Sequence, residues 1–376
     1  MSRAKGSDPA PVRQPTAAPQ ERGAAGTHRV GRFRLESGTV LDDVVQAYRL
    51  YGELNERRDN LIIVFHSLTG GPDAAAWWPG VIGPGCALDT DRYAVLCANL
   101  LGSCYGTTGL PLDSPDPPRV TPRDMAALVR HLVAELGVDD VALATGGSLG
   151  GMVALEWAAS FPSLTRATVV FAAPAAHTAH AIGYNHVQRR ALELGGDGGL
   201  ALARMVAMLT YRTPGEFAVR FGRERRPDGV YQVQSYLSYQ GDKLVRRFDP
   251  RSYRVLLDAM DAHDVGRGRG GIAAALGAYE GRLVGVGIPG DLLYFPEDVR
   301  EWVDAAGAAY REIRSPHGHD AFLLEPDQVA AILQEALGGE AGQGEAGERY
   351  APGTAGKGSP HPAAGSDLAP ARPARR

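Results

Sequence analysis

The chain has 376 residues, a formal charge of −4 and a hydrophobic share of 44%, ample for a buried core. The slightly acidic balance, with a pI near 6.2, excludes a dedicated nucleic-acid or membrane-surface binder, which carries a basic excess. No run approaches the ~20 apolar residues that cross a bilayer, and MSRAKGSDPA lacks the apolar segment of a secretory signal. Three cysteines, Cys86, Cys97 and Cys104, form no C-x-x-C, so a reduced, soluble, cytoplasmic protein is expected.

Residues 1–28 are rich in Ala, Pro, Gly and Arg without a hydrophobic period. Such a segment buries too little apolar surface to offset its ordering entropy, so a disordered tail is expected there, and again over 338–376. Between the tails, short apolar runs alternate with helical spacing. Strands are predicted at Val45–Leu50, Leu61–Phe65, Tyr93–Ala98, Val141–Ala144, Ala167–Ala172 and Leu283–Val286. Their continuous apolarity is that of strands buried on both faces, as in a parallel sheet. Thr121 with Asp124 three places on and Pro122 between them starts a helix that Gly137 ends. This alternation predicts a doubly wound α/β core over 29–176 and 276–337. From 177 to 275 helical patterns such as Gly199–Leu209 and Ser252–Met260 replace it, which predicts an inserted helical lid.

Chemistry is written most clearly after Val141–Ala144. Gly146-Gly147-Ser148-Leu149-Gly150 is G-x-S-x-G in strand–turn–helix context, a nucleophile elbow. A serine held in a tight, strained turn needs glycine neighbours for backbone clearance. It also needs a base, and the base an orienting carboxylate, in the chain order Ser, Asp or Glu, His. His319 follows the predicted strand Tyr310–Ile313, in the loop Ser315-Pro-His-Gly-His-Asp320. Asp291, just beyond Leu283–Ile288, is the candidate acid, and His317 is a rival base. An oxyanion hole takes one N–H from Leu149, directly after the nucleophile, and a second from His66-Ser-Leu-Thr-Gly-Gly71, where Leu68 is chosen and Thr69 is the alternative. No metal site and no phosphate-cradling GxxxxGK[ST] is expected.

Several long strings then identify a family. HSLTGGPDAAAWWPGVIGPGCALDTDRYAVLCANLLGSCYGTTG (66–109), VTPRDM (120–125), GGSLGGMVALEWA (146–158), YLSYQGDKLVRRFDPRSY (236–253) and GHDAFL (318–323) resemble the homoserine O-acetyltransferase signature, in order and over 29–337. The resemblance implies an α/β-hydrolase fold with a mostly parallel central sheet and an inserted helical lid. It also implies a homodimer formed through lid helices, no bound cofactor, and acetyl-CoA as co-substrate for acyl transfer to L-homoserine. It further implies that Arg204 holds the substrate carboxylate and Asp320 its amino group, a guanidinium fork and an anion for a zwitterion. Arg189 is a second arginine candidate. Three departures from the family pattern bear on lid and pocket: a shortened stretch between Arg189 and Gly199, Leu110 where proline is usual, and His186 where an acid is common. Rival readings are a hydrolase on the same fold, a transferase using succinyl-CoA or serine, and a non-catalytic interaction protein.

Overall fold

The computed structural model describes residues 23–338. Two long strands come first, β1 (Ala24–Arg34) and β2 (Val40–Tyr51), followed by β3 (Leu61–Phe65). A one-turn helix α1 (Ala74–Trp77) and a small ladder, β4 (Ile82–Gly83) with β5 (Leu88–Asp89), lead into β6 (Ala94–Ala98). The first half closes with α2 (Pro122–Glu135), β7 (Val141–Gly147), α3 (Leu149–Ser160) and β8 (Ala167–Phe171). Helices α4 (Ala179–Leu194), α5 (Gly196–Tyr211), α6 (Pro214–Phe221), α7 (Gln232–Val245), α8 (Pro250–Asp261) and α9 (Ile272–Gly277) form the insertion. The sheet then resumes with β9 (Arg282–Gly287), α10 (Pro296–Ala306) and β10 (Ala309–Glu312). A single 3₁₀ turn over Gly318–Asp320, α11 (Ala321–Leu324) and α12 (Pro326–Ala336) complete the described fold.

The eight-stranded sheet has the order β1-β2-β6-β3-β7-β8-β9-β10. β1 pairs antiparallel with β2, and β2 with β6, while every other neighbour is parallel. All residues of β3, β6, β7 and β8 are buried, as their unbroken apolar runs require of strands covered on both faces. The chain runs from β3 outward to β6 and then returns to β7 on the other side of β3. That reversal opens a crevice beyond the carboxyl ends of β3 and β7, the place where open α/β sheets bind ligands.

Local signals act as expected at α2. The Thr121 side chain accepts from the Asp124 N–H, the Asp124 carboxylate accepts from the Thr121 N–H at 3.0 Å, and Gly137 turns left-handed just beyond the helix at φ 66°. The N-terminal boundary is corrected: β1 begins at Ala24, so residues 24–28 are strand and not tail. Backbone pairing holds them, Ala24 opposite Leu50 through His28 opposite Gln46, and no apolar period marks them in the sequence. The remaining tail residues, 1–22 and 339–376, lie outside the described residues.

Candidate active site

The crevice is built from the ends of four strands. Where β7 meets α3, Ser148 adopts φ 58° and ψ −125°, a strained conformation for a residue with a side chain. The turn is possible because its neighbours lack a Cβ. A methyl on Gly146 would stand 2.5 Å from the Gly150 carbonyl oxygen, and one on Gly150 would run into the Phe65 carbonyl. The Ser148 N–H donates to the Phe171 carbonyl at 3.0 Å, which ties the elbow to β8. Leu149 is the first residue of α3, so its amide is among those a helix start leaves without an intrahelical acceptor.

Asp291 sits after β9, 1% exposed. One carboxylate oxygen accepts from the N–H groups of Leu293 (2.8 Å) and Tyr294 (3.0 Å), and the other faces His319 Nδ1 at 2.7 Å. His319 is buried against the rings of Tyr211, Tyr294 and Phe322. Burial works against charging its imidazole, yet the Asp291 charge, the hydrogen bond to it and the nearby Asp320 prevail and raise its pKa above the ordinary histidine value. With Nδ1 committed to Asp291, the free face is Nε2, a buried atom that has no hydrogen-bond partner among the described residues. Ser148 and His319 line one cavity of about 70 Å³, together with Leu68, Arg204 and Asp320. Ser148, His319, Leu68, Thr69, Arg204 and Asp320 therefore line a single space, and Asp291 and Leu149 adjoin it through His319 and Ser148.

The second candidates fare differently. His317 Nδ1 lies 3.2 Å from Glu216 on α6, so the rival base has another carboxylate partner, while Asp291 faces His319. Arg189 pairs with Asp258 (3.2 Å) and Asp261 (2.6 Å) on α8, because its face of α4 packs there. It lines a larger cavity, about 770 Å³, which no residue of the Ser148–Asp291–His319 set lines. Size favours that cavity, but the nucleophile defines the chemistry, so the smaller one is the candidate site. Arg204, on α5, stacks its guanidinium 5.3 Å from the Tyr211 ring centre.

Further contributors escaped sequence reasoning. Arg212 places one guanidinium nitrogen 3.1 Å from Asp320 and another 3.1 Å from Glu216, so Asp320 already has a cationic partner. Burial raises the Asp320 pKa, while Arg212, Arg204 and His319 oppose the rise. The only sequence signal was the helix boundary Thr213-Pro214, which leaves Arg212 on the joint between α5 and α6. Tyr294 hydrogen-bonds His177 at 3.0 Å, whose other ring nitrogen faces Asp261 at 3.0 Å, so a buried chain ties the acid loop to α8. Arg247, just past α7, donates to the Thr69 carbonyl (2.7 Å) and the Tyr105 hydroxyl (2.6 Å), clasping the turn that follows β3. His66 belongs to that same turn.

Residues 60–240 match the family described as alpha/beta hydrolase fold. The homoserine O-acetyltransferase of Thermus thermophilus is 44% identical over 343 residues, 81% of this chain and 89% of the relative. The crystal structure of homoserine O-acetyltransferase from Staphylococcus aureus superposes with a TM-score of 0.74 at 30% identity, covering 87% of this chain and 98% of that one. The crystal structure of esterase E22 superposes with a TM-score of 0.76 at 19% identity, covering 84% of this chain and 100% of that one, a likeness of fold alone. On identity and coverage together, this chain belongs to the homoserine O-acetyltransferase family, built on the α/β-hydrolase fold.

Proposed function

We propose that the protein transfers an acetyl group from acetyl-CoA to the side-chain hydroxyl of L-homoserine through an acyl-Ser148 intermediate. The observation that carries this reading is the buried Asp291–His319 pair, whose unpartnered Nε2 shares a cavity with Ser148. His319 takes the Ser148 proton as the oxygen attacks the thioester, and Asp291 fixes the tautomer and stabilises the imidazolium. The amides of Leu149 and Leu68 receive the developing oxyanion, each worth about 3–4 kcal/mol when removed. CoA leaves as the thiol, taking the proton from His319. The homoserine hydroxyl then gives its proton to His319 and attacks the acyl ester, and Ser148 leaves, taking that proton from His319.

Water competes at that second step, so a transferase must hold the alcohol in place and keep solvent out, a task for the inserted helices. Arg204 is assigned to the acceptor's carboxylate and Asp320 to its ammonium. Val187 (50%), Leu194 (79%) and Val219 (92%) are exposed apolar side chains on α4 and α6, and they are what supports a homodimer formed through those helices. No helix among the described residues is long and apolar enough to cross a membrane, and a CoA-dependent reaction suits the cytoplasm.

Incubating the protein with acetyl-CoA, with and without homoserine, tests the reading. Faster CoA release with homoserine, and O-acetylhomoserine by mass spectrometry, are expected. Equal release in both would make it a hydrolase on the same fold. Preference for succinyl-CoA or for serine would reassign donor or acceptor while leaving Ser148 in its role.

A further inference from the structure

The turn after β3 carries a buried histidine that the proposed mechanism does not use. His66 is fully buried between two crossover loops. Its Nε2 lies 3.0 Å from the Leu100 N–H, just past β6, and its Nδ1 lies 2.9 Å from the Ser67 carbonyl oxygen. An amide hydrogen aimed at Nε2 requires a lone pair there. The ring is therefore the neutral tautomer with its proton on Nδ1, donating to Ser67. Burial pushes the His66 pKa down to about 4, against the Ser67 carbonyl and the Asn99 side chain, which agrees with a neutral ring at pH 7.

The acceptor matters more than the ring. The Ser67 carbonyl shares one rigid, trans peptide plane with the Leu68 N–H, and in such a plane the two bonds point in opposite directions. Fixing the carbonyl fixes the amide. The same carbonyl also accepts from the Gly70 N–H at 2.9 Å, and the Ser67 hydroxyl donates to the Gly147 carbonyl at 3.2 Å, beside the elbow. The turn is tight: a methyl on Gly70 would stand 3.0 Å from the His66 Cβ and 3.2 Å from the Ser67 oxygen.

We infer that His66 is a positioning residue for acyl transfer: its Nδ1–H holds the Ser67–Leu68 peptide so that the Leu68 amide faces the cavity beside Ser148. The inference rests on the reading of Leu68 as an oxyanion donor. A donor placed beforehand stabilises charge in the transition state and not the bound substrate, so its misplacement lowers kcat and leaves KM nearly unchanged.

Two substitutions separate this role from packing. In His66→Asn the amide nitrogen stands as many bonds from Cα as Nδ1 does, so the donor to Ser67 is kept and the acceptor for Leu100 is lost. In His66→Gln the side-chain end matches Nε2, so the acceptor is kept and the donor is lost. Steady-state CoA release is measured for both. His66→Gln is expected to lose ~10²-fold in kcat with KM within about threefold, and His66→Asn to stay within ~10-fold of the parent. Equal losses in the two variants, or a loss carried by KM, overturn the inference. Should His66→Gln not fold, Gly70→Ala replaces it, since its methyl presses on the His66 Cβ and the same carbonyl: a drop in kcat at constant KM supports the role and an unchanged kcat overturns it. Ser148→Ala runs alongside. If it stays active, the reading of the site itself fails; if it is inactive while both His66 variants match the parent, only the inference falls.

Discussion

The sheet and the inserted helices are built to opposite rules. β3, β6, β7 and β8 hide every residue, and their carboxyl ends hold the elbow and the turn after β3 with backbone hydrogen bonds and glycine clearances. The insertion is amphipathic and charged. All of the large exposed apolar side chains among the described residues except Phe295 and Leu324 lie between Ile182 and Tyr239. Its polar contacts to the site include two long arginines, Arg212 to Asp320 and Arg247 to the turn after β3, beside His177 to Tyr294. A packed sheet end is hard to deform, so it suits groups that must keep sub-ångström geometry. A helical cover held by ion pairs suits recognition and release. Variation in the first region should act on kcat, and in the second on KM, selectivity and assembly.

The sharpest break of that contrast is Ser148→Ala, expected to lower kcat by more than ~10⁴-fold and to abolish a serine-linked acyl adduct seen by intact-mass spectrometry. An adduct in that variant would move the chemistry off the sheet. Next in size is Arg212→Met, which strips Asp320 of its ion-paired guanidinium and leaves Glu216 with Arg220 and His317. KM for the amino-acid acceptor should rise ~10–100-fold, while the burst of CoA release without acceptor stays near the parent's; breaking a buried pair costs about 3–5 kcal/mol, of which part falls on binding. A lost burst would place Arg212 in donor chemistry.

A pH profile sharpens the comparison. The base must be neutral to act, and the His319 pKa is raised, so kcat/KM should fall on the acid side through a value above 6.5, the ordinary histidine pKa. Asp320 is one of the charges that favour the imidazolium, so Asp320→Asn should move that limb to lower pH. A limb that stays in place would remove Asp320 from the electrostatics of the base. Smallest in its effect on turnover is Leu194→Asp combined with Val219→Asp. Light scattering should report a smaller particle than the parent, with kcat within about threefold.

How much of this was legible in the sequence follows the same division. The elbow, Asp291 and His319 could be read because glycine spacing and chain order encode a backbone turn and a topology. Ser148, Leu149 and Leu68 were placed by residues adjacent in sequence. Arg212 could not be read, since nothing local distinguishes it from other helix-end arginines; only the packing of α5 against the Gly318–Asp320 turn sets it beside Asp320. Arg189 misled for the converse reason, a plausible arginine whose helix face happens to meet Asp258 and Asp261. The residues from Ala24 to His28 were hidden because an edge hairpin is held by main-chain pairing, which composition does not reveal.

Arg247 links the two halves in a way that bears on economy of the donor. Its guanidinium reaches from just past a cover helix to the carbonyl of Thr69, the residue after the proposed donor Leu68, and to the Tyr105 hydroxyl. Displacing that helix end would break those bonds and leave the turn to its ties through His66, Gly70 and Gly147. On the proposed reading, cover and anion donor thus share one guanidinium, so a displacement of either is felt at the other.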